Sequence, residues 1–351
     1  MMDVNLSYGD LGTQPLASVV KNPALVRSLN LSGNNIDKEL SIEIANTYIS
    51  CMVNLEELDL KDNKIGPQGA KHLCDTLLKH CSKLKYLDLN ENGILDESLL
   101  YVAYLLQEKR MESLFLVSNH LTQRGMPTLC DGILSSRHIR ELTLAFNVLG
   151  DGGASVVAKA LRGHPSLRSL DISDNRIGDA GAVDVAAHLI LPRESRLESL
   201  NLSVNCIRDV GFSAISEAVR NTQSRRLIHL DLGGNHEVGS DGRGALIKCM
   251  ESMRHLQSLD LCSCGLSDEE GWGLVGAVSS RNCGITAIEW FNNPKMRPET
   301  EKALYEALKA KRAAARDAEQ HWRQLKIFSS VLLGATLLTG LTVAFHQRRH
   351  R

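Results

Sequence analysis

Residues 54–65 read NLEELDLKDNKI, in which leucines at 55, 58 and 60 lead to Asn63 and an aliphatic residue stands at 65. The same pattern, LxxLxLxxN followed by one residue and an aliphatic, occurs eight times along the chain. Its marker asparagines, spaced 27 to 30 residues apart, are Asn34, Asn63, Asn92, Asn119, Asn147, Asn175, Asn205 and Asn235. A unit this short has room for one strand and one helix, which cannot bury their apolar sides without neighbours. The sequence therefore predicts a solenoid of stacked units.

Each unit predicts a short strand followed by a helix. The second and third leucines alternate with an outward residue, as in a strand with one buried face. Residues 153–161, GASVVAKAL, place apolar side chains at helical spacing. Because strands pair about 4.8 Å apart and helices pack about 8 to 10 Å apart, the stack bends. We therefore predict an α/β horseshoe with a concave parallel sheet and convex helices.

Two further positions of the unit have predicted structural roles. The marker asparagine is expected to be buried and to satisfy backbone groups where the chain leaves the strand, so that stacked copies form a ladder. A glycine follows the closing aliphatic by four residues in six units, at a position where we expect packing or backbone torsion to exclude a Cβ. These glycines are Gly69, Gly125, Gly153, Gly181, Gly211 and Gly242.

The composition and motifs argue against catalysis, nucleic-acid binding and metal binding. Lys plus Arg (40) nearly equals Asp plus Glu (41), so no overall field would attract nucleic acid. The nine cysteines form neither CxxC pairs nor zinc spacings, and the twelve histidines are dispersed. No GxxxxGK[ST], HExxH or GxSxG motif occurs. We predict a noncatalytic chain without cofactor or metal, and its cysteines favour a reduced compartment.

The repeat pattern resembles the ribonuclease-inhibitor-like class of leucine-rich repeats. That class includes the ribonuclease inhibitor, the activating protein of the Ran GTPase and the repeat domains of nucleotide-binding innate sensors. The resemblance covers residues 21–296, about nine to ten units, with an N-terminal cap at 1–20. It implies the horseshoe fold and leaves the function open, because members of the class do different jobs on one scaffold. It also implies an alternative function, GTPase activation on a small GTPase.

The residue between the second and third core aliphatics points outward and forms a predicted row across the sheet. Read from ten units, this row is Asn30, Asp59, Asp88, Phe115, Thr143, Asp171, Asn201, Asp231, Asp260 and Glu289. Six of the ten are acids, which together would attract a protein partner with a basic surface. The alternative is that aspartate is common at this position in the family and only solvates the face.

An apolar interruption of this row predicts the docking site. Phe115 and Val117 on the fourth unit, with Phe146 beyond the fifth strand, replace polar residues of neighbouring units, and Tyr86 lies beside them. In a chain that is 4% aromatic, such a cluster rimmed by acids is typical of a binding hot spot. The alternative for Phe146 is that it folds back over the turn as packing.

Residues 327–345, IFSSVLLGATLLTGLTVAF, predict a membrane span. They contain no charged side chain, and at 1.5 Å per residue a helix of this length spans about 28 Å, close to the bilayer hydrocarbon core. Arg323 and Lys326 precede the segment, and the basic tail 346–351 follows it. We predict a transmembrane helix in contact with the lipid bilayer. The alternative is a buried helix that caps the solenoid.

The position of this segment resembles that of tail-anchored proteins, whose other domains face the cytosol. A short, moderately apolar span with a basic tail resembles the mitochondrial outer-membrane class, which we favour over the peroxisome and the endoplasmic reticulum. Residues 297–326 are rich in charges and helix formers and predict a juxtamembrane helix. Its cations either contact anionic lipid or belong to a solvated spacer that holds the horseshoe off the membrane.

Overall fold

The computed structural model describes residues 1–9 and 16–317, which form a repeating strand and helix array. Every strand pairs in parallel with its sequence neighbours, so the described part of the chain builds one 11-stranded sheet in the order β1 to β11. The strands are β1 Met2–Asn5, β2 Val26–Asn30, β3 Glu57–Asp59, β4 Tyr86–Asp88, β5 Ser113–Phe115, β6 Glu141–Thr143, β7 Ser169–Asp171, β8 Ser199–Asn201, β9 His229–Asp231, β10 Ser258–Asp260 and β11 Ala287–Glu289. The predicted solenoid with a parallel sheet is confirmed.

A helix follows each strand and packs against the helices of the neighbouring units. The helices are α1 Leu16–Val19, α2 Lys38–Thr47, α3 Gly66–His80, α4 Leu99–Glu108, α5 Met126–Ser135, α6 Gly150–Ala160, α7 Asp179–Val185, α8 Asp209–Asn221, α9 Ser240–Met250, α10 Asp268–Ser279 and α11, which covers residues 298–317. A π-helical turn, Ala186–Ile190, continues α7, and short 3-10 turns cover Pro23–Leu25, Ile49–Cys51 and Asp96–Ser98. The leucines and the closing aliphatics form one continuous core between the sheet and the helices.

The marker asparagines form the predicted ladder. The Asn147 side chain is 5% exposed, and its Nδ2 lies 3.0 Å from the carbonyl oxygen of Leu116 in the preceding unit and 2.9 Å from that of Leu144 in its own. Its Oδ1 accepts hydrogen bonds from the backbone N–H groups of Asn119 and Leu121, at 3.0 and 2.9 Å. Each asparagine amide therefore satisfies backbone groups of two units at a turn whose backbone is not paired in the sheet.

A second ladder, at the start of the helices, was not predicted. The Oδ1 atom of Asp179, the first residue of α7, accepts hydrogen bonds from the backbone N–H groups of Arg208 and Gly211 in the next unit, at 2.9 and 2.7 Å. The repeat glycines pack against this ladder: a Cβ on Gly211 would stand 2.5 Å from Cγ2 of Ile207 and 2.7 Å from the Asp179 carboxylate. The expectation that a Cβ is excluded at these glycines is confirmed, and the reason is packing against the closing aliphatic of the same unit and against the preceding unit.

Helix α11 closes the described part of the chain and differs from the expected free-standing spacer. Leu304 and Leu308 are buried in the common core, at 0% and 1% exposure. The Lys311 ammonium donates to the carbonyl oxygens of Val278 and Ser280 at the end of α10, at 2.7 and 2.8 Å. Residues 298–317 are therefore the last helix of the stack, because an apolar stripe and a lysine attach them to α10.

The predicted membrane span at 327–345 and the basic tail at 346–351 lie outside the described residues. Within residues 1–9 and 16–317, no helix combines the length and the apolar character that crossing a bilayer requires.

Candidate protein-binding face

The face of the sheet turned away from the helices, here called the open face, carries the predicted row in register. Strand pairing aligns Asp59 with Asp88, Asp88 with Phe115, and Phe115 with Thr143. The same register continues through Asp171, Asn201, Asp231, Asp260 and Glu289. The outward side chains of neighbouring units therefore stand side by side, about one strand spacing apart.

All five aspartates of the row also have a structural role. In each case Oδ1 accepts a hydrogen bond from the backbone N–H two residues later, at 3.0 Å for Asp59, 2.9 Å for Asp88 and 2.9 Å for Asp231. Asp171, Asp260 and the row asparagines Asn30 and Asn201 make the same bond. This turn satisfies an N–H that the sheet leaves unpaired at the strand end. It supplies a physical reason for Asp or Asn at this position apart from any partner.

Phe115 has no side-chain acceptor for this hydrogen bond, and an asparagine of the preceding unit supplies one instead. The backbone N–H of Val117, which an aspartate at 115 would satisfy, donates to the side-chain Oδ1 of Asn90 at 2.6 Å. Position 115 is therefore free of the structural constraint that fixes most of the row. The half-buried Val117 is held beside it by the same contact.

Tyr86 and Phe115 form one aromatic pair on the open face. Their ring centroids are 5.1 Å apart, with a tilt of 43° between the planes, in the range of favourable aromatic contacts. The Tyr86 hydroxyl lies 3.4 Å from Oδ2 of Asp88, and both rings are half-buried. Burial, together with the charges of Asp88 and Asp59, raises the pKa of Tyr86. The pair presents an apolar surface with a neutral hydroxyl beside two carboxylates.

Phe146 lies apart from this pair. It follows β6 by three residues, in the position just before the marker asparagine, with a φ of 54° and a side chain that is 56% exposed. Its backbone N–H donates to the carbonyl oxygen of Ser173 at 3.0 Å. Residues at this position have positive φ in every unit from Gly33 to Asn292. The structure thus places Phe146 on the turn beside the strand ends, and the aromatic contact on the open face joins Tyr86 and Phe115.

The carboxylates of the row are close enough to affect one another. Burial raises the pKa of Asp88 to about 6, and the charge of Asp59 adds to the effect. Burial likewise raises the pKa of Asp231 to about 6, with Asp260 and Asp171 adding repulsion. A positive group placed against the row would lower the pKa of both carboxyl groups, since it stabilises the ionised carboxylates.

A second outward row, two residues earlier in each strand, was not predicted as a row from the sequence. It contains Tyr86 and, toward the C-terminal end, His229 and Ser258. There the sheet forms a shallow hollow of about 250 Å³ that His229 and Ser258 line together with Asp231, Asp260 and Glu289. Within the described residues, no group of three or more His, Cys, Asp or Glu side chains converges to hold a metal ion. Aligning the units in register would have revealed this second row.

Comparison with known proteins agrees with the repeat architecture. Seven segments match the family model described as Leucine Rich repeat, at residues 24–39, 52–74, 80–103, 135–158, 163–186, 196–216 and 252–269. The chain is 27% identical over 281 residues to the pig (Sus scrofa) ribonuclease inhibitor, covering 80% of this chain and 61% of that protein. It is 28% identical over 249 residues to mouse (Mus musculus) NACHT, LRR and PYD domains-containing protein 14, covering 70% of this chain and 25% of that protein. The chain thus spans less than two thirds of the length of these relatives.

Two solved structures share the fold at low sequence identity. One is the Rad7 and Elc1 complex of yeast, with a TM-score of 0.55 at 16% identity over 80% of this chain and 67% of that chain. The other is LegL7 of Legionella pneumophila, a leucine-rich repeat-containing protein, with a TM-score of 0.53 at 16% identity over 88% of this chain and 98% of that chain. Both structures agree with a leucine-rich-repeat fold for this chain.

Proposed function

We propose that this leucine-rich-repeat chain, whose relatives include ribonuclease inhibitors, is a noncatalytic scaffold that holds a protein partner on its open face at a membrane. The partner presents a basic surface with an apolar side chain that seats on Tyr86 and Phe115. The proposal rests on the aromatic side chain of Phe115, which stands where most units have Asp or Asn. The turn at its strand end is closed by Asn90, so the backbone does not require an aromatic ring at this position.

The surroundings of the aromatic pair support a docking role. Aromatic anchors dominate binding energy when they are flanked by polar groups that exclude water, and Asp59 and Asp88 lie in register beside Phe115. The acids that continue the row would steer a cationic surface toward the face and fix its orientation. Leucine-rich-repeat proteins in general bind partners on such surfaces. The yeast Rad7 and Elc1 complex is one in which a protein of this fold is seen with a second protein.

The first experiment replaces the anchor. Phe115→Ser in the full chain is expected to abolish capture of the partner, while far-UV circular dichroism and thermal unfolding stay unchanged because Phe115 lies outside the core. The matched control is Phe291→Ser, at a phenylalanine that is 70% exposed at the C-terminal end of the sheet. Phe146→Ser tests whether the turn belongs to the same surface. Retained capture by a folded Phe115→Ser chain would exclude this site.

The membrane tether is proposed from the sequence. Residues 327–345 have the length and apolar character of a bilayer span, and we place them in the mitochondrial outer membrane with the repeats in the cytosol. Alkaline carbonate should leave the full chain in the membrane pellet, and replacing Leu333 and Leu338 with arginine should release it. Imaging of a fluorescent protein fused to residues 297–351 tests the organelle, and reticular staining would contradict the assignment.

Single-turnover GTP hydrolysis separates the scaffold from the GTPase-activating alternative. With excess full chain and a panel of small GTPases, the scaffold proposal expects hydrolysis at the intrinsic rate. If the chain accelerates GTP hydrolysis by any of these GTPases, and an open-face variant does not, the GTPase-activating function would be supported and the scaffold proposal rejected.

A further inference from the structure

The ends of the parallel strands form two long sides of the sheet, here called its edges. These two edges differ in charge although the whole chain is nearly neutral. All connections that lead from a helix to the next strand lie at one edge, because the strands are parallel. In the described chain these connections are residues 20–25, 48–56, 81–85, 109–112, 136–140, 161–168, 191–198, 222–228, 251–257 and 280–286. They hold fifteen Lys and Arg against five Asp and Glu. The connections from strand to helix, from 31–37 to 290–297, hold seven of each sign.

Four of the five acids on this basic edge are already paired. Their ion pairs are Glu56 with Lys85, Glu112 with Arg140, Glu194 with Arg162, and Glu198 with Arg168, at 3.0 to 3.5 Å. Ten exposed cations then remain without an ion-pair partner among the described residues. They are Lys21, Lys83, Arg110, Arg137, Arg193, Arg196, Arg225, Arg226, Arg254 and Arg281. The positive charge of the edge is therefore available to an external anionic surface.

The basic edge also carries exposed apolar side chains and a histidine whose pKa is lowered. Leu25, Val53 and Leu191 stand in its connections at 47%, 49% and 43% exposure. Burial lowers the pKa of His255, and the neighbouring Arg225 and Arg254 guanidinium groups lower it further. Cations alternating with single apolar side chains suit the interface of a bilayer, where both kinds of group find a partner.

Helix α11 brings the chain to this same edge. Like the helices before it, α11 runs from the strand-to-helix side toward the basic edge, where Lys311 contacts the end of α10. The Arg312 guanidinium Nε donates to the carbonyl oxygen of Thr286, in the last connection, at 2.7 Å. Arg316 is exposed one turn later. The last residues of α11 therefore lie on the side of the basic edge, and the proposed span at 327–345 follows them in the sequence.

We propose that the basic edge lies against an anionic lipid surface, so that the solenoid stands on this edge with its open face free beside the membrane. The inference rests on the proposed membrane tether and adds the orientation of the array. Cations near an anionic leaflet are attracted over about one Debye length, roughly 8 to 10 Å at physiological salt, which exposed side chains in the connections can reach.

A lipid surface fits this edge better than a nucleic acid. Single-stranded nucleic acids bind proteins through aromatic side chains on which bases stack, between cations that follow the phosphates. Among the described basic-edge connections, the aromatic residue is Tyr48, which is half-buried and packs against the core. Binding to RNA is therefore an outcome to be tested rather than the expected one.

Hydrogen exchange on the full chain in lipid nanodiscs tests the orientation. Discs are made with phosphatidylcholine alone or with added phosphatidylserine, and peptides covering 222–228 and 251–257 are compared with peptides covering the opposite edge. In anionic discs we expect exchange at the basic edge to slow severalfold, and 0.5 M NaCl to remove this protection. The opposite edge should exchange equally in both discs.

Charge reversal supplies the matched variants. Arg225→Glu with Arg226→Glu and Arg254→Glu should remove the protection, whereas Lys64→Glu with Arg124→Glu and Arg176→Glu, on the opposite edge, should leave it intact.

The outcomes are distinguishable. A chain that inserts into both discs but exchanges equally in both overturns the orientation and leaves the tether standing. A chain retained by neither disc overturns the tether and the orientation together. Protection of the edge by polyuridine, without protection by anionic discs, would assign the edge to nucleic acid.

Discussion

Replacing Asn147 with alanine should test how strongly the asparagine ladder couples neighbouring units. The side chain accepts two backbone N–H bonds from the preceding unit and donates its two hydrogens among three carbonyl oxygens at 2.9 to 3.0 Å. Four hydrogen bonds at about 1 kcal/mol each, with their backbone partners left buried, predict a loss of about 3 to 4 kcal/mol in the free energy of unfolding. The matched control, Asn221→Ala, removes the same atoms from an exposed site and should cost under about 0.5 kcal/mol.

Urea unfolding of the full chain in nonionic detergent, followed by circular dichroism, measures both changes. Hydrogen exchange locates the effect, because the amides of Asn119 and Leu121 lose their acceptor and should exchange faster in the variant. A loss near that of Asn221→Ala, or unchanged exchange at these two amides, would refute the reasoning that the ladder carries the coupling between units.

Three other perturbations have defined outcomes. Gly211→Ala brings a Cβ to 2.5 Å from the Ile207 side chain and should lower the unfolding free energy by about 1 to 3 kcal/mol, whereas Gly276→Ala, with nothing within 4 Å, should raise it by up to about 1 kcal/mol in the same urea assay. Burial raises the pKa of Asp88 from 3.8 to about 6, so the folded state binds the proton more tightly than the unfolded state, and the free energy of unfolding falls as pH rises from about 4 to 6. Asp88→Asn keeps the acceptor of the turn and should abolish that fall. Melting curves measured at several pH values should show a gain of about 1 to 2 kcal/mol for this variant at pH 7.5. Since a cationic partner binds the ionised carboxylates, its affinity should rise between pH 5 and 7.5, and isothermal titration with Asp88→Asn plus Asp231→Asn should show a flatter profile.

The fold could be predicted because one period determines it. Each unit repeats the same core leucines, so strand, turn and helix follow from a single set of positions, and the strands pair in the predicted order. The Asp179 ladder could not be predicted, because the hydrogen bonds join residues about 30 positions apart and depend on how neighbouring helices stack. The attachment of α11 was missed because its charges are prominent in the sequence and its two buried leucines are not.

The site was only partly readable from the sequence. The acidic row was visible as a register position, but its double role needed the hydrogen bonds from each Oδ1 to the N–H two residues later. Phe115 could be recognised from the sequence as an exception in the row. The hydrogen bond from the Val117 N–H to Asn90, which makes an aspartate at position 115 unnecessary, could not. Phe146 stood out as an aromatic residue, yet its place on the turn follows from the left-handed backbone position before each marker asparagine. The basic edge was hidden because charges that cancel along the chain separate only when the connections are sorted by edge.

The most direct test of the account is site-specific photocrosslinking in cells. Benzoylphenylalanine replaces Phe115 on the open face, and in a second chain it replaces Trp272, an aromatic residue on α10 that is 51% exposed. We expect one dominant protein adduct from position 115, weakened when Asp59 and Asp88 are changed to lysine, and no such adduct from position 272. The same adducts from both positions, or none from position 115, would contradict it.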